Sequence, residues 1–296
     1  MKTVLLILNP CAGQKKAKKL LAEIIEIFNR AELTVITYIT ACSGDAEAAV
    51  IRYALLVDAV VCCGGDGTFN ETASGVLKCG KDIPIGYIPA GSTNDFASSL
   101  RLSTNILQAA RDIVEGTAQQ LDLGDFNGRY FSYVASFGAF TKASYSTSQT
   151  MKNLMGHAAY ILSGIQELSQ IRSYPLRFEL PDGQIIEDKF IFGAISNSTS
   201  LAGILSLSAE RVDMTDGMFE LFLVRAPKDL FELGDCVKAI QQQTYNSSML
   251  TFINTSRVSV TAPEDMPWTL DGEQESGHKL IEANCLHHAI RVFRNK

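Results

Sequence analysis

From the N-terminus to about residue 120, short apolar runs alternate with stretches of helical period. Val4 to Leu8 is apolar and is stopped by Asn9-Pro10, which predicts a buried strand. The loop Asn9-Pro10-Cys11-Ala12-Gly13 follows, then a helix expected from about Gln14 to Glu32 with Leu20, Leu21, Ile24, Ile27 and Phe28 on one face. Thr34 to Ile39 predicts a β-branched strand ending at Thr40, followed by Ser43-Gly44-Asp45 and a helix to about Leu56. Val57 to Cys63 is the next strand and feeds the glycine turn Gly64-Gly65-Asp66-Gly67, after which a helix runs to about Lys78. Pro84 to Pro89 is a short strand entering a second small-residue turn, Ala90-Gly91-Ser92-Thr93-Asn94-Asp95-Phe96-Ala97. Strand, loop and helix in repetition predict an alternating α/β domain, in which turns at successive strand ends face one cleft.

Near Gly116 to Leu121 the pattern changes. Leu121 to Phe126, the turn Asn127-Gly128, and Arg129 to Phe137 predict a hairpin of alternating residues. Strand patterns recur at Leu176 to Leu180, Gln184 to Ser196, Met218 to Arg225, Met249 to Ile253 and Arg257 to Thr261. The reading is a first α/β domain over residues 1–120 and a second, mostly antiparallel β-sandwich domain over residues 121–288. Two helices interrupt the second domain, at about Leu154 to Ile171 and Lys228 to Tyr245. His157, alone among apolar neighbours in the first of these, reads as a packing residue.

Composition narrows the function. With 296 residues, 46% of them hydrophobic, the chain can bury a sizeable core. Its net charge, 26 minus 32 or −6, argues against general nucleic-acid binding, which needs phosphates neutralised. Seven cysteines with no CxxC pair read as reduced thiols of a cytoplasmic protein. The opening apolar run is shorter than a signal core, and no stretch is long and apolar enough to span a membrane.

The glycine turn carries the chemistry. Gly64, Gly65 and Gly67 leave no side chain between backbone and ligand, so a phosphate can approach the amides at the start of the following helix. Thr68 and Glu71 are spaced as a capping box, which predicts Thr68 as the helix cap. Asp66 is unexpected in a plain turn: beside a polyphosphate a carboxylate repels unless a cation or a transferable proton intervenes, which points to metal-assisted phosphoryl transfer. Asp95 by itself fits a helix-start acid. Two further acidic stretches, Asp213-Met214-Thr215-Asp216-Gly217-Met218 and Leu270-Asp271-Gly272-Glu273, each fit an ordinary turn. Taken with Asp66 and Asp95, they form a set able to position magnesium and to accept a proton from an alcohol. Lys15, Lys16, Lys18 and Lys19 crowd the start of the first helix, where the macrodipole disfavours cations, so an anionic partner or a plain solvated face is expected there.

Asn9 to Gly13 (NPCAG), Gly64 to Glu71 (GGDGTFNE), Gly91 to Ala97 (GSTNDFA), Asp216 to Leu221 (DGMFEL) and Leu270 to Glu273 (LDGE) stand in the order found in bacterial soluble diacylglycerol kinases, and the chain resembles that lipid-kinase family over nearly its whole length. The glycine loop is shared with NAD kinases; GSTNDFA and the late DGE favour the lipid branch, with Ser92 a mild departure from the more usual GTxND.

The resemblance implies an N-terminal nucleotide-binding domain, completed by the C-terminal return at about 289–296, and a β-rich C-terminal domain. It implies ATP lined by Asn9, Pro10, Cys11, Ala12, Gly13, Thr40, Gly65, Asp66, Gly67, Thr68, Phe69, Asn70, Glu71 and Thr93. Mg²⁺ is implied near Asp213, Asp216 and Met218. Glu273 is implied as general base on the lipid hydroxyl, with Asp271 beside it and Asp66 and Asp95 in the catalytic set. The implied reaction is phosphorylation of a lipid alcohol, diacylglycerol to phosphatidic acid, by a cytoplasmic enzyme that meets the membrane peripherally. The lysine cluster is then a candidate for anionic lipid or for ATP. An NAD kinase-like phosphotransferase and a non-catalytic nucleotide or lipid sensor are the alternatives, and a homodimer is allowed for.

Overall fold

The computed structural model describes residues 3–138, 172–201, 205–206 and 212–295. The helix expected from Leu154 to Ile171, with His157, lies outside the described residues. Contacts divide the chain into two units: residues 1–123 with 214–216 and 286–296, and residues 124–213 with 217–285.

Unit 1 is built on parallel strands β1 (Thr3–Leu8), β2 (Thr34–Ile39), β3 (Ala59–Gly64) and β4 (Ile85–Pro89) in the order β2-β1-β3-β4. Leu8 is level with both Ile39 and Cys63, and Gly64 with Pro89, so the loops after these strands emerge along one edge. Val4 to Leu8 and Ala59 to Cys63 are buried on both faces, as central parallel strands require, whereas β2 is half exposed at the sheet edge. The helices are α1 (Lys16–Lys19), α2 (Leu21–Arg30), α3 (Asp45–Tyr53), α4 (Asp66–Cys79), α5 (Asp95–Ser99) and α6 (Ile106–Glu115). Ile24 and Phe28 of α2 and Ala109, Ala110 and Ile113 of α6 pack with Leu6, Leu8, Val61, Cys63 and Ile88 on one face of the sheet. On the other side α3 and α4 meet closely enough that a Cβ at Gly75 would lie 2.9 Å from the Glu47 carbonyl. Val292, near the end of the chain, pairs with Ile85, and Arg291 bonds Asp82 at 2.8 Å.

The first helix differs from expectation. A 3₁₀ turn (Ala12–Lys15) leads into α1, and Leu20, at φ −99° and ψ 11°, separates α1 from α2. Lys16, Lys18 and Lys19 therefore lie exposed on a four-residue helix instead of crowding the start of a long one.

Unit 2 is mostly antiparallel. Its strands are the end of β5 (Thr117–Phe126), β6 (Arg129–Phe131), β7 (Val134–Gly138), β8 (Tyr174–Glu179), β9 (Ile185–Ser196), β10 (Ser200–Leu201), β11 (Leu205–Ser206) and β12 (Phe219–Arg225). They continue with β13 (Leu250–Thr255), β14 (Arg257–Thr261), β15 (Trp268–Leu270), β16 (Glu273–Glu275) and the first part of β17 (Leu280–Arg294). The order runs β16-β15-β7-β9-β8-β14-β17, with β12 on β9, β13 on β12, and β5 on β17. Trp268 of β15 and Phe126 of β5 are far apart along this path, yet their rings are 5.1 Å apart; the sheet curls around one core. That core includes Phe131, Phe137, Phe178, Phe190, Phe219 and Trp268, each worth roughly 1.5–3 kcal/mol or more on burial. One described helix, α7 (Leu230–Gln241), is capped by Asp229, which accepts from Phe231 and Glu232 N–H.

Candidate active site

In unit 1 three loops meet at their backbones. Asn9, just past β1, donates its N–H to the Cys63 carbonyl and its side-chain amide to Thr68 Oγ1 at 3.1 Å, while its Oδ1 accepts the Cys11 N–H at 2.9 Å. Gly13 has φ +51°, and a Cβ there would lie 2.0 Å from the Ala90 carbonyl oxygen. A Cβ on Gly91 would come within 2.6 Å of the Gly65 Cα. The two glycine turns thus face each other at backbone contact, as the alternation of strands predicts, and the loop after β1 closes the third side. Asn94, at φ 54°, holds the second turn through bonds to the Gly91 N–H and carbonyl.

Asp66 is the hub of this region. One oxygen accepts the Asp95 N–H at 3.0 Å, and the other accepts the Phe96 N–H at 3.3 Å and the Tyr87 hydroxyl at 3.2 Å. Burial pushes its carboxyl up; the Asp95 charge adds to this, and the amides and the tyrosine oppose it. Asp66 therefore anchors the turn before α5 as well as carrying charge, a structural part the sequence did not assign to it.

The capping box is corrected. The helix begins at Asp66 with Gly65 as cap, and Thr68 sits inside its first turn with its hydroxyl on Asn9. Glu71 points to another helix: it accepts from the Ser43 hydroxyl, the Gly44 N–H at 2.8 Å and the Ala46 N–H at 3.2 Å, and so caps α3. A capping partner in space has replaced the one in sequence. The side chain of Phe69 is fully buried between the Tyr87 and Phe96 rings, 4.8 and 4.6 Å away, which leaves its backbone on the side of the turn. Thr40 is nearly buried after β2, its N–H on Leu8. Beyond it Asp45 accepts from the Ala41 and Cys42 N–H groups, which hold its carboxyl below the usual range. Pro10, Cys11, Ala12 and Thr93 lie on these loops, with Cys11 and Thr93 exposed, and Gly67 and Asn70 lie in the first turns of α4.

In unit 2, Asp271 and Gly272 have φ 49° and 81°, the left-handed pair of a type I′ turn joining β15 to β16. Asp271 is almost fully buried, and its carboxylate accepts the N–H groups of Ser132, Tyr133 (3.0 Å) and Val134 (3.1 Å). A carboxylate committed to three amides organises the segment before β7. Glu273 is exposed and forms an ion pair with Arg129 Nη2 at 2.9 Å, while Arg129 Nη1 reaches Glu275. Glu275 is partly buried, which raises its carboxyl, but Arg129, His278 and Ser276 outweigh this and hold it below its usual range. Sequence reasoning missed Arg129, Tyr87 and Asn94. Arg129 could have been noticed as the first residue past the Asn127-Gly128 turn; the others carry no local signal.

Asp213 and Asp216 are exposed in the turn before β12, with Met218 partly exposed and Gly217 at φ +76°. The Met214 carbonyl in this turn accepts the Asp122 N–H at 2.9 Å.

A family model described as the diacylglycerol kinase catalytic domain matches residues 3–126. A diacylglycerol kinase of Bacillus subtilis (strain 168) is 31% identical over 275 residues, 92% of this chain and 90% of that protein. The chain belongs to the diacylglycerol kinase family. A second relative, the diacylglycerol kinase of Staphylococcus carnosus (strain TM300), is 34% identical over 272 residues, 90% of this chain and 87% of that protein. The crystal structure of a diacylglycerol kinase from Bacillus anthracis str. Sterne superposes with TM-score 0.77 at 23% identity, covering 99% of this chain and 97% of that one, a likeness of fold. Membership in the diacylglycerol kinase family makes the chain an ATP-dependent kinase acting on a lipid, and the NAD kinase-like alternative is not favoured.

Proposed function

We propose that the enzyme transfers the γ-phosphoryl group of ATP to the free hydroxyl of diacylglycerol, giving phosphatidic acid. The observation that carries this reading is the match to relatives named diacylglycerol kinase over about nine-tenths of the chain. In unit 1 the glycine-edged loops Asn9–Gly13, Gly64–Gly67 and Ala90–Asn94 take the nucleotide, with bare backbone toward its phosphates. Thr40, Thr68, Glu71 and Thr93 complete the surround, Glu71 by fixing the start of α3.

The turn at Asp213, Asp216 and Met218 offers two exposed carboxylates and backbone carbonyls, an all-oxygen donor set that suits Mg²⁺. When bound, the ion neutralises phosphate charge. The chain's own residues supply the rest. As the lipid oxygen bonds to the γ-phosphorus and the bond from that phosphorus to the bridging oxygen of ADP breaks, the hydroxyl proton passes to Glu273, which Arg129 orients. Asp66, with Asp95, keeps the second turn in place and holds charge near the phosphates.

Exposed Lys16, Lys18 and Lys19, together with Lys15, dock the enzyme on anionic lipid, each near-surface lysine contributing roughly 1 kcal/mol. Replacing all four with glutamine is expected to weaken binding to phosphatidylserine vesicles with ATP affinity unchanged; the opposite pattern assigns the cluster to the nucleotide. The reaction itself is tested by a labelled-ATP transfer screen over mixed-micelle lipid alcohols and NAD. Transfer to diacylglycerol is expected, and labelling of another acceptor in preference to it overturns the substrate.

A further inference from the structure

Unit 1 also brings together one carboxylate and two imidazoles. Asp122 on β5 is fully buried, and β5 is hydrogen-bonded to β17, which carries His287 and His288. Consecutive residues of a regular strand point to opposite faces. Here His288 has φ +53°, a left-handed residue within the strand, and the two rings lie on the same side, stacked with centroids 3.6 Å apart. His287 Nδ1 is 3.1 Å from Asp122 Oδ1, and the backbone N–H of His288 donates to the same oxygen at 2.6 Å. One ligand atom from each of Asp122, His287 and His288 can be chosen so that all lie within 4.8 Å of one another.

We propose that Asp122, His287 and His288 form a site for a borderline divalent transition metal such as Zn²⁺, distinct in its chemistry from an all-oxygen magnesium turn. Two imidazole nitrogens and one carboxylate oxygen are the donors that zinc, cobalt and nickel take in preference to magnesium. Metal bonds of about 2.0–2.2 Å place tetrahedral ligands roughly 3.4 Å apart. The Nδ1 to Oδ1 separation of 3.1 Å is already close to this, so the ion replaces the proton shared by that pair. Rotation of the exposed His288 ring closes the third bond. The His288 N–H stays on the carboxylate and orients it, as an outer-shell donor does. With both histidines exposed, water completes the coordination.

The test is binding to the full chain, stripped of metal with a chelator and kept reduced, with Co²⁺ as spectroscopic probe and Zn²⁺ as competitor. Exposed Cys11 and Cys42 offer a rival site, which cobalt reveals through an intense thiolate charge-transfer band. One Co²⁺ per chain without that band is expected, together with paramagnetic shifts of histidine ring protons in the wild-type protein. Zn²⁺ should displace it, and excess Mg²⁺ should not. In His287→Gln/His288→Gln the affinity should fall roughly tenfold or more. Unchanged affinity in the double variant, a thiolate band, or absence of one-to-one binding to the wild type overturns the proposal. In the last case His287 is only the polar partner of a buried carboxylate. The readout is metal binding and not lipid phosphorylation, so it stands or fails independently of the kinase reading.

Discussion

Replacing Asp271 with asparagine separates the two acids of the DGE turn. Asparagine tolerates the left-handed backbone at this position, so the substitution adds little strain at φ 49°. It does replace one carboxylate oxygen with an amide NH₂, whose hydrogens then face a backbone N–H that formerly donated to it. The loss is one charge-assisted bond of about 1.5–3 kcal/mol, with the remaining two weakened by the lost charge, so roughly 3 kcal/mol in all. For a domain of this size about 2–4 °C of Tm follows each kcal/mol, giving a drop of roughly 6–12 °C. Glu273→Gln, by contrast, breaks only an exposed ion pair, worth up to about 1 kcal/mol, while kcat for lipid phosphorylation should fall by a factor of about 10²–10⁴ with ATP binding retained. Thermal melts and mixed-micelle kinetics on both variants are the assay. If Asp271→Asn melts like wild type and loses turnover while Glu273→Gln is active, Asp271 is the base and the structural reasoning is refuted.

Three further outcomes are expected. Asp66→Asn should lower turnover by orders of magnitude and also change the pH dependence of stability. Because the folded-state pKa of Asp66 is raised, its contribution is fully present below the unfolded value near pH 3.9 and is lost as pH rises through the folded value. The Tm difference should therefore move in the variant's favour as pH rises from about 4, and a difference independent of pH excludes this. Gly91→Ala should weaken ATP binding through the clash with Gly65, measured by calorimetry; wild-type affinity would show that the loops have room to part. Glu71→Ala should destabilise α3 by roughly 0.5–2 kcal/mol, visible as faster amide exchange at Gly44 and Ala46, whereas unchanged exchange there returns Glu71 to its own helix.

The strands and most helices were legible because their signals are local: Thr34–Ile39 and Arg257–Thr261 stand where alternation and β-branching put them. The ordered motifs, read from residues alone, also determined the kinase family. Tertiary structure decided what each acid does. Asp66 and Asp271 are short carboxylates at turns, and in sequence they are indistinguishable from catalytic acids. Only folding shows that Asp66 gathers amides from residues 95 and 96, and Asp271 from residues 132 to 134. Glu71 fits a capping box by spacing, yet unpaired amides at the start of α3 lie within its reach and take its oxygens. The same holds for Asp122 and His287, which are 165 positions apart. Spacing along a chain constrains neighbours within a turn or two, and carboxylates and imidazoles bond across any sequence distance that the fold closes.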